Sequence, residues 1–178
     1  FLLQPTEIDC GKVLKKYNLE NKNYIFYPAQ FWPHKNHVFI MDALRIRKQS
    51  NPEAKMIKAV FCGNDKGNLD YLKRYAVRNY LGDDVLFLDF VPDTEIAAFY
   101  CGALALTMPS YFGPSNLPPL EAFKFKTPVI YPNKSEFQSF LDGACLPIQL
   151  DDPKSLSLQI ELLLTEPGLR GELIDKGL

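Results

Sequence analysis

Neither sign of charge prevails in this 178-residue chain: 20 Lys and Arg stand against 21 Asp and Glu, a formal net charge of −1. A general nucleic-acid or membrane-surface role usually shows as a basic excess, so no nucleic-acid partner is expected, and the balance leaves room for local basic sites alone. Cysteine is scarce. Cys10, Cys62, Cys101 and Cys145 include no Cys-x-x-Cys pair, so zinc-ligand spacing is absent. Cys62 and Cys145 lie in apolar runs and read as small buried residues of a reducing compartment. Histidine is scarcer still. His34 and His37 have an i, i+3 spacing that suits a metal, but no carboxylate or cysteine cluster accompanies them, so no metal is expected. No run approaches the roughly 20 apolar residues of a membrane helix. The opening Phe1-Leu2-Leu3-Gln4-Pro5 is too short for a secretory signal and has no positive region before it. The expected setting is cytoplasmic, with any membrane association left to the full-length protein. The missing initial methionine suggests a piece of a longer protein. There is no Gly-x-Gly-x-x-Gly, so a dehydrogenase reading lacks its phosphate fingerprint, and no Gly-x-x-x-x-Gly-Lys-[Ser/Thr] to support P-loop chemistry.

What is present is apolar material: 47% of the residues are hydrophobic, enough for the core of one domain. Residues 1–23 read as a lead-in or interdomain linker containing a short helix over 11–19. From residue 24 to 178 strands and helices alternate in one domain. Short apolar runs at 24–27, 56–62, 85–90, 103–108, 128–131 and 145–150 read as strands. Segments with apolar residues three or four apart, at 36–49, 68–80, 94–100, 117–125, 135–141 and 154–164, read as helices, with a last short one from Pro167. Asp152-Pro153 is an N-cap followed by proline at the first helical position. Continuously apolar strands joined by helical crossovers predict an α/β fold, a single Rossmann-like, doubly wound parallel sheet covered on both faces. Ligands of such sheets bind beyond the carboxyl ends of the strands, at the switch point, so residues just after each strand are the candidates.

The richest stretch runs from Pro109 to Ala122, between a predicted strand and a predicted helix. Gly113-Pro114-Ser115-Asn116 makes a turn of small and polar residues, Asn116 is a good cap, and Pro118 and Pro119 fall in the first helical turn. A helix start presents unpaired N–H groups and the positive end of a dipole, which suits a diphosphate. Glu121, about one turn in, has a carboxylate able to accept hydrogen bonds from a ribose diol. The plainer reading is an ordinary capped helix with an exposed glutamate.

Here the residues resemble a family, the retaining glycosyltransferases of group 1, or family 4. The family signature is Glu-Gly-Phe-Gly-Leu-Pro-x-x-Glu-Ala, followed by Gly-x-Pro-Val-Ile. This chain has Leu117-Pro118-Pro119-Leu120-Glu121-Ala122, then Thr127-Pro128-Val129-Ile130. Glu121 matches the second glutamate, which in the family holds the ribose; Gly113 stands where the first, a donor-sugar contact, is usual. After the first strand, Pro28-Ala29-Gln30-Phe31-Trp32-Pro33-His34-Lys35-Asn36 is similar to the family's Gly-Arg-x-x-x-x-Lys-Gly. Lys35 matches the lysine on the donor diphosphate and takes the catalytic role; Gln30 replaces the arginine. A lone loop lysine is ordinarily just solvated; the matching neighbours set this one apart. Phe61-Cys62-Gly63-Asn64 resembles the family's strand ending in glycine, and the run from Val85 to Asp93 its Phe-Leu-Gly-x-Val segment facing the nucleobase. The resemblance thus implies a donor site of Gln30, Lys35, Gly63, Phe90, Gly113, Ser115, Asn116, Leu117 and Glu121, with a nucleoside-diphosphate sugar as substrate and no metal or other cofactor. It also implies the C-terminal half of a two-domain GT-B enzyme. The N-terminal acceptor-binding domain would lie elsewhere in the same protein, and the acceptor, whether glycan, lipid or protein, is left open. With Gln30 and Gly113 in place of expected side chains, the alternative is a regulatory or degenerate module that binds a nucleotide or nucleotide sugar without turnover.

Overall fold

The structure, a computed structural model, describes residues 9–112, 117–133, 141 and 143–178. Helix α1 (Cys10–Lys16) precedes β1 (Tyr24–Pro28), and a one-turn 3-10 helix (Pro33–Lys35) leads into α2 (His37–Ser50). There follow β2 (Lys58–Cys62), α3 (Leu69–Arg78), β3 (Val85–Leu88), α4 (Asp93–Gly102) and β4 (Ala105–Thr107). The chain continues with α5 (Leu117–Lys124), β5 (Val129–Pro132), β6 (Cys145–Ile148), α6 (Pro153–Thr165) and α7 (Pro167–Gly177). The helix expected over 135–141 falls outside the described residues, Leu141 apart.

The six strands form one sheet in the order β3-β2-β1-β4-β5-β6, and every pairing is parallel. The chain starts mid-sheet, winds outward to β3, returns to the centre and winds outward to β6. That is the expected doubly wound topology, with its switch point between β1 and β4. The strands are continuous apolar runs because both faces are covered: Tyr24 to Tyr27, Ala59 to Phe61 and Ala105 to Leu106 are all almost fully buried. Helices α2, α3 and α6 contact one another in one layer, and α1, α4, α5 and α7 in the other.

The strands expected over 56–62, 85–90, 103–108 and 145–150 are longer than those observed, at buried ends such as Ala103 and Met108 as well as at exposed ones. β3 stops at Leu88, leaving Asp89 and Phe90 exposed, and β2 starts at Lys58, with Met56 exposed. Residues 10–22 are packed onto the domain. Leu14 and Leu19 are buried, Lys16 Nζ donates to Glu95 at 2.6 Å, and Lys22 Nζ donates to the carbonyls of Cys101 and Ala103, both at 2.8 Å. α6 opens as expected on Asp152, whose carboxylate accepts from Lys154 N at 3.0 Å, with Pro153 in the first turn. It is tied to α2 by buried Arg47, which donates to Glu161 at 2.5 Å and to the Lys55 carbonyl at 2.6 Å, so the guanidinium is paired rather than stranded.

Candidate functional site

The loop after β1, residues 29–36, leaves the sheet at the switch point and is fastened to three neighbours. Phe31 N donates to Asn64 O at 3.1 Å, tying it to the loop after β2. The Tyr27 hydroxyl donates to Lys35 O at 3.0 Å, and Tyr111 N, from the loop after β4, donates to His34 O at 3.1 Å. Asn36 closes the 3-10 turn in the left-handed region, at φ 57°, a conformation that asparagine tolerates. Gly63 lies against this loop from below. A Cβ there would lie 2.7 Å from Gln30 N and collide with the Ala29 carbonyl, so the position takes glycine because two backbones approach too closely for a side chain.

Beneath the loop, His37 opens α2, and the rings of Tyr27, Phe31 and Phe61 surround it at centroid distances of 4.9, 5.2 and 5.0 Å. Burial in this aromatic box lowers its pKa to about 3, so the imidazole is neutral. His34 is elsewhere, stacked between Trp32 (6.1 Å, 28°) and Phe112 (4.9 Å, 12°). Among the described residues no group of three or more His, Cys, Asp or Glu could hold a metal ion.

An open pocket of about 380 Å³ occupies the crevice, lined by Pro28, Ala29, Gln30, Trp32, His34 and Lys35 on one wall and by Met108 and Pro118 on the other. Lys35 is partly buried, and burial lowers its pKa from the ordinary lysine value. Gln30 is exposed, and its side-chain oxygen accepts from Trp32 Nε1 at 3.0 Å.

On the other side of the switch point, Gly113, Ser115 and Asn116 lie outside the described residues. α5 begins at Leu117, which is exposed, and its second and third residues are Pro118 and Pro119. A helix start has four unpaired N–H groups, and these prolines remove two, so its capacity for an anion is smaller than the helix reading alone implies. Glu121 is on the next turn, partly buried, and its Oε2 accepts from the Tyr100 hydroxyl at 2.8 Å. Phe90 is 84% exposed beyond β3, two strands from β1. The structure therefore gathers Gln30 and Lys35, with Gly63 beneath them, and faces them with the start of α5; Phe90 stands apart.

Two residues escaped the sequence reading. Asp65 accepts from Gly67, Asn68 and Leu69 N at 2.8, 3.1 and 3.1 Å, so it caps the entry to α3, and these N–H groups hold its carboxyl below the usual range. An aspartate shortly before a glycine and a helical pattern was the available signal. Tyr100 carried none, because its neighbours Ala97, Ala98 and Phe99 mark it only as core.

A doubly wound parallel sheet with a lysine and a helix start meeting at its switch point defines a class of α/β domains suited to nucleotides. The chain matches the family described as glycosyl transferases group 1 over residues 12–177, and it belongs to that family. It is 31% identical over 159 residues to the O-antigen chain mannosyltransferase RfbU of Salmonella typhimurium, covering 83% of this chain and 43% of that protein. It thus spans less than half the length of that relative. The fold is shared with Anabaena Alr3699/HepE, crystallised in complex with UDP: TM-score 0.81, 15% identity, 95% of this chain and 46% of that one. It is also shared with the C-terminal domain of the group 1 protein LpcC from Francisella tularensis, at TM-score 0.77 and 18% identity, covering 93% of this chain and 87% of that domain. Among the described residues no helix is long and apolar enough to cross a membrane.

Proposed function

We propose that this chain is the donor-binding domain of a retaining glycosyltransferase that moves a sugar from a nucleoside-diphosphate sugar to an acceptor hydroxyl. The observation that carries the reading is the placement of Lys35 and the start of α5 on opposite walls of one switch-point pocket, in a member of this family. The physical problem in such a transfer is the charge that develops on the diphosphate as the glycosidic bond breaks. The Lys35 ammonium, the Leu117 N–H and the positive end of α5 offset that charge from fixed positions. Glu121 accepts from the ribose diol. HepE, which shares this fold, was crystallised in complex with UDP, and this supports a nucleotide as the ligand.

The acceptor must be held with reacting atoms about 3–3.5 Å apart, which takes a second surface. One sheet uses the described chain from Tyr24 to Ile148, so we assign that surface to a second, N-terminal domain of the full-length protein. The chain alone is then expected to bind a nucleoside diphosphate and transfer nothing. A thermal-shift panel of uridine, guanosine and adenosine diphosphates tests the first part, since a ligand at 100 times its Kd adds about 2.7 kcal/mol. No shift with any of the three, or sugar transfer to an acceptor by the chain by itself, would sink the reading.

One observation favours a second reading, a binding module without turnover: Gln30 holds Trp32 and brings no charge to the pocket. Donor binding by the full-length protein without release of diphosphate would decide for it.

A further inference from the structure

The Glu121 carboxylate, within α5, and the Phe125 ring, one residue past its end, are four residues apart, and both meet the same side chain of α4. The Tyr100 ring stacks on Phe125 (centroids 5.8 Å, 7°) and meets Phe26 of β1 edge-on (5.0 Å, 89°), while its hydroxyl donates to Glu121 Oε2 at 2.8 Å. Its backbone is pinned as well: the Tyr100 carbonyl accepts from Thr127 Oγ1 at 2.5 Å and from Ala103 N at 3.1 Å. Tyr100 is fully buried, so the ring has no freedom to swing. With ring and backbone fixed, the hydroxyl is a fixed donor, and burial raises its pKa well above the usual value, keeping it protonated. Among the described residues the Glu121 carboxylate accepts from no other side chain.

We infer that Tyr100 is the positioning residue of the nucleotide site: its hydroxyl occupies one carboxylate oxygen of Glu121 and turns the other toward the ribose diol. This rests on the assignment of Glu121 to the ribose. Without the hydroxyl a glutamate has three side-chain torsions to fix and must lose that freedom on binding; with it, the loss has already occurred in the free protein. The same contact keys the rotation of α5 about its axis, since Glu121 and Phe125 are both read by one ring.

The test compares the full chain, Tyr100→Phe and Glu121→Gln, each titrated by calorimetry with uridine 5′-diphosphate and its 2′-deoxy counterpart. The readout is the ratio of the two affinities, which a general loss of packing does not move. In the unaltered chain the ribose form should bind roughly tenfold better, because the deoxy form offers no diol to the carboxylate. Glu121→Gln should bring the ratio close to one. Tyr100→Phe should lower uridine diphosphate affinity roughly fivefold and leave the deoxy affinity unchanged, so the ratio falls by the same factor. A ratio kept in Tyr100→Phe but lost in Glu121→Gln would leave the ribose assignment standing and remove the positioning role. Equal losses for both nucleotides in Tyr100→Phe would make it a packing residue only. An unchanged ratio in Glu121→Gln, or no binding of either nucleotide, would remove the ribose assignment and this inference together.

Discussion

The loop that carries Lys35 and the helix that carries Glu121 face the same switch point, yet they are held in different ways. The loop is fixed through its backbone, by hydrogen bonds from Phe31, Tyr27 and Tyr111 and by close packing on Gly63. No single side chain decides its position. Glu121 is fixed through its side chain, by one hydroxyl from another helix. The difference has a mechanical meaning. A charge that meets a phosphate needs a stable platform and tolerates a flexible stem, as a lysine has. A carboxylate that accepts from two adjacent hydroxyls needs orientation, and a buried phenol supplies it. Side-chain substitutions should therefore disturb the helix wall more readily than the loop wall, which should yield mainly to changes in backbone packing.

The largest effect expected from breaking the loop wall is at Gly63. In Gly63→Ala the new methyl meets backbone atoms of Ala29 and Gln30, which cannot turn aside as a flexible side chain would. Overpacking of this kind costs about 3 kcal/mol, which for a chain of this size lowers the melting temperature by roughly 6–12 °C. The loop should shift with it, so nucleoside diphosphate affinity should fall even though Gly63 has no side chain to offer. Calorimetry and thermal melting together check this. A variant with unaltered melting would mean that the loop rides on some other support.

How much of this was legible beforehand differs between the two walls. The parallel sheet and its order of elements were readable because each strand is an apolar run bounded by turn residues, and Tyr24 to Tyr27 is buried on both faces as such a run demands. The motif residues Gln30 and Lys35 lie at the crevice, because a residue just after a strand has little choice of place in this topology. Gly63 was legible as a marked glycine but not in its role; only coordinates reveal that it is needed by a loop thirty-odd residues earlier in sequence. The 3-10 turn Pro33–Lys35 read as loop, since a one-turn helix has no periodicity to detect. Tyr100 was invisible for another reason: burial of the ring and the aim of the hydroxyl are separate facts, and an apolar helix announces only the first.

The loop wall can be sharpened from beneath by pH. His37 is held neutral, with its pKa depressed to about 3, while the unfolded chain takes up a proton near pH 6.5. The unfolded state thus binds the extra proton between these values, so this stability is complete above pH 6.5 and is lost as pH falls toward 3. One proton corresponds to about 1.4 kcal/mol per pH unit, hence about 2 kcal/mol between pH 6.5 and 5. Melting temperature measured across that interval should fall by roughly 4–8 °C in the unaltered chain. His37→Phe keeps an aromatic ring in the box of Tyr27, Phe31 and Phe61 and should flatten the slope, whatever it does to the baseline. An equal slope in the variant would leave the box without a role in it.

The smallest expected effect is the most selective, and it concerns the cation that the loop carries. Lys35→Ala removes a charge and keeps the backbone bonds of residue 35, from its N–H to the Trp32 carbonyl and from the Tyr27 hydroxyl to its own carbonyl. Melting should therefore change little. Affinity for a nucleoside diphosphate should drop by about 1.4 kcal/mol, tenfold, and affinity for the bare nucleoside should not. Raising salt should narrow the gap between variant and unaltered chain, since screening already weakens the partly exposed contact. The pH dependence adds a sign that is hard to mimic. Burial has lowered the Lys35 pKa, so as pH rises the free chain loses this proton earlier than an ordinary lysine would, and diphosphate affinity should begin to fall below the usual lysine range. Between the lowered pKa and the ordinary one the unfolded chain holds more protons than the folded one, so the same titration should make the free protein more stable as pH rises. The contributions of this one group to affinity and to stability thus run in opposite directions as pH rises, and Lys35→Ala should remove both contributions. If the variant loses nucleoside and diphosphate affinity equally, Lys35 belongs to the loop's architecture and the phosphate contact must be sought elsewhere.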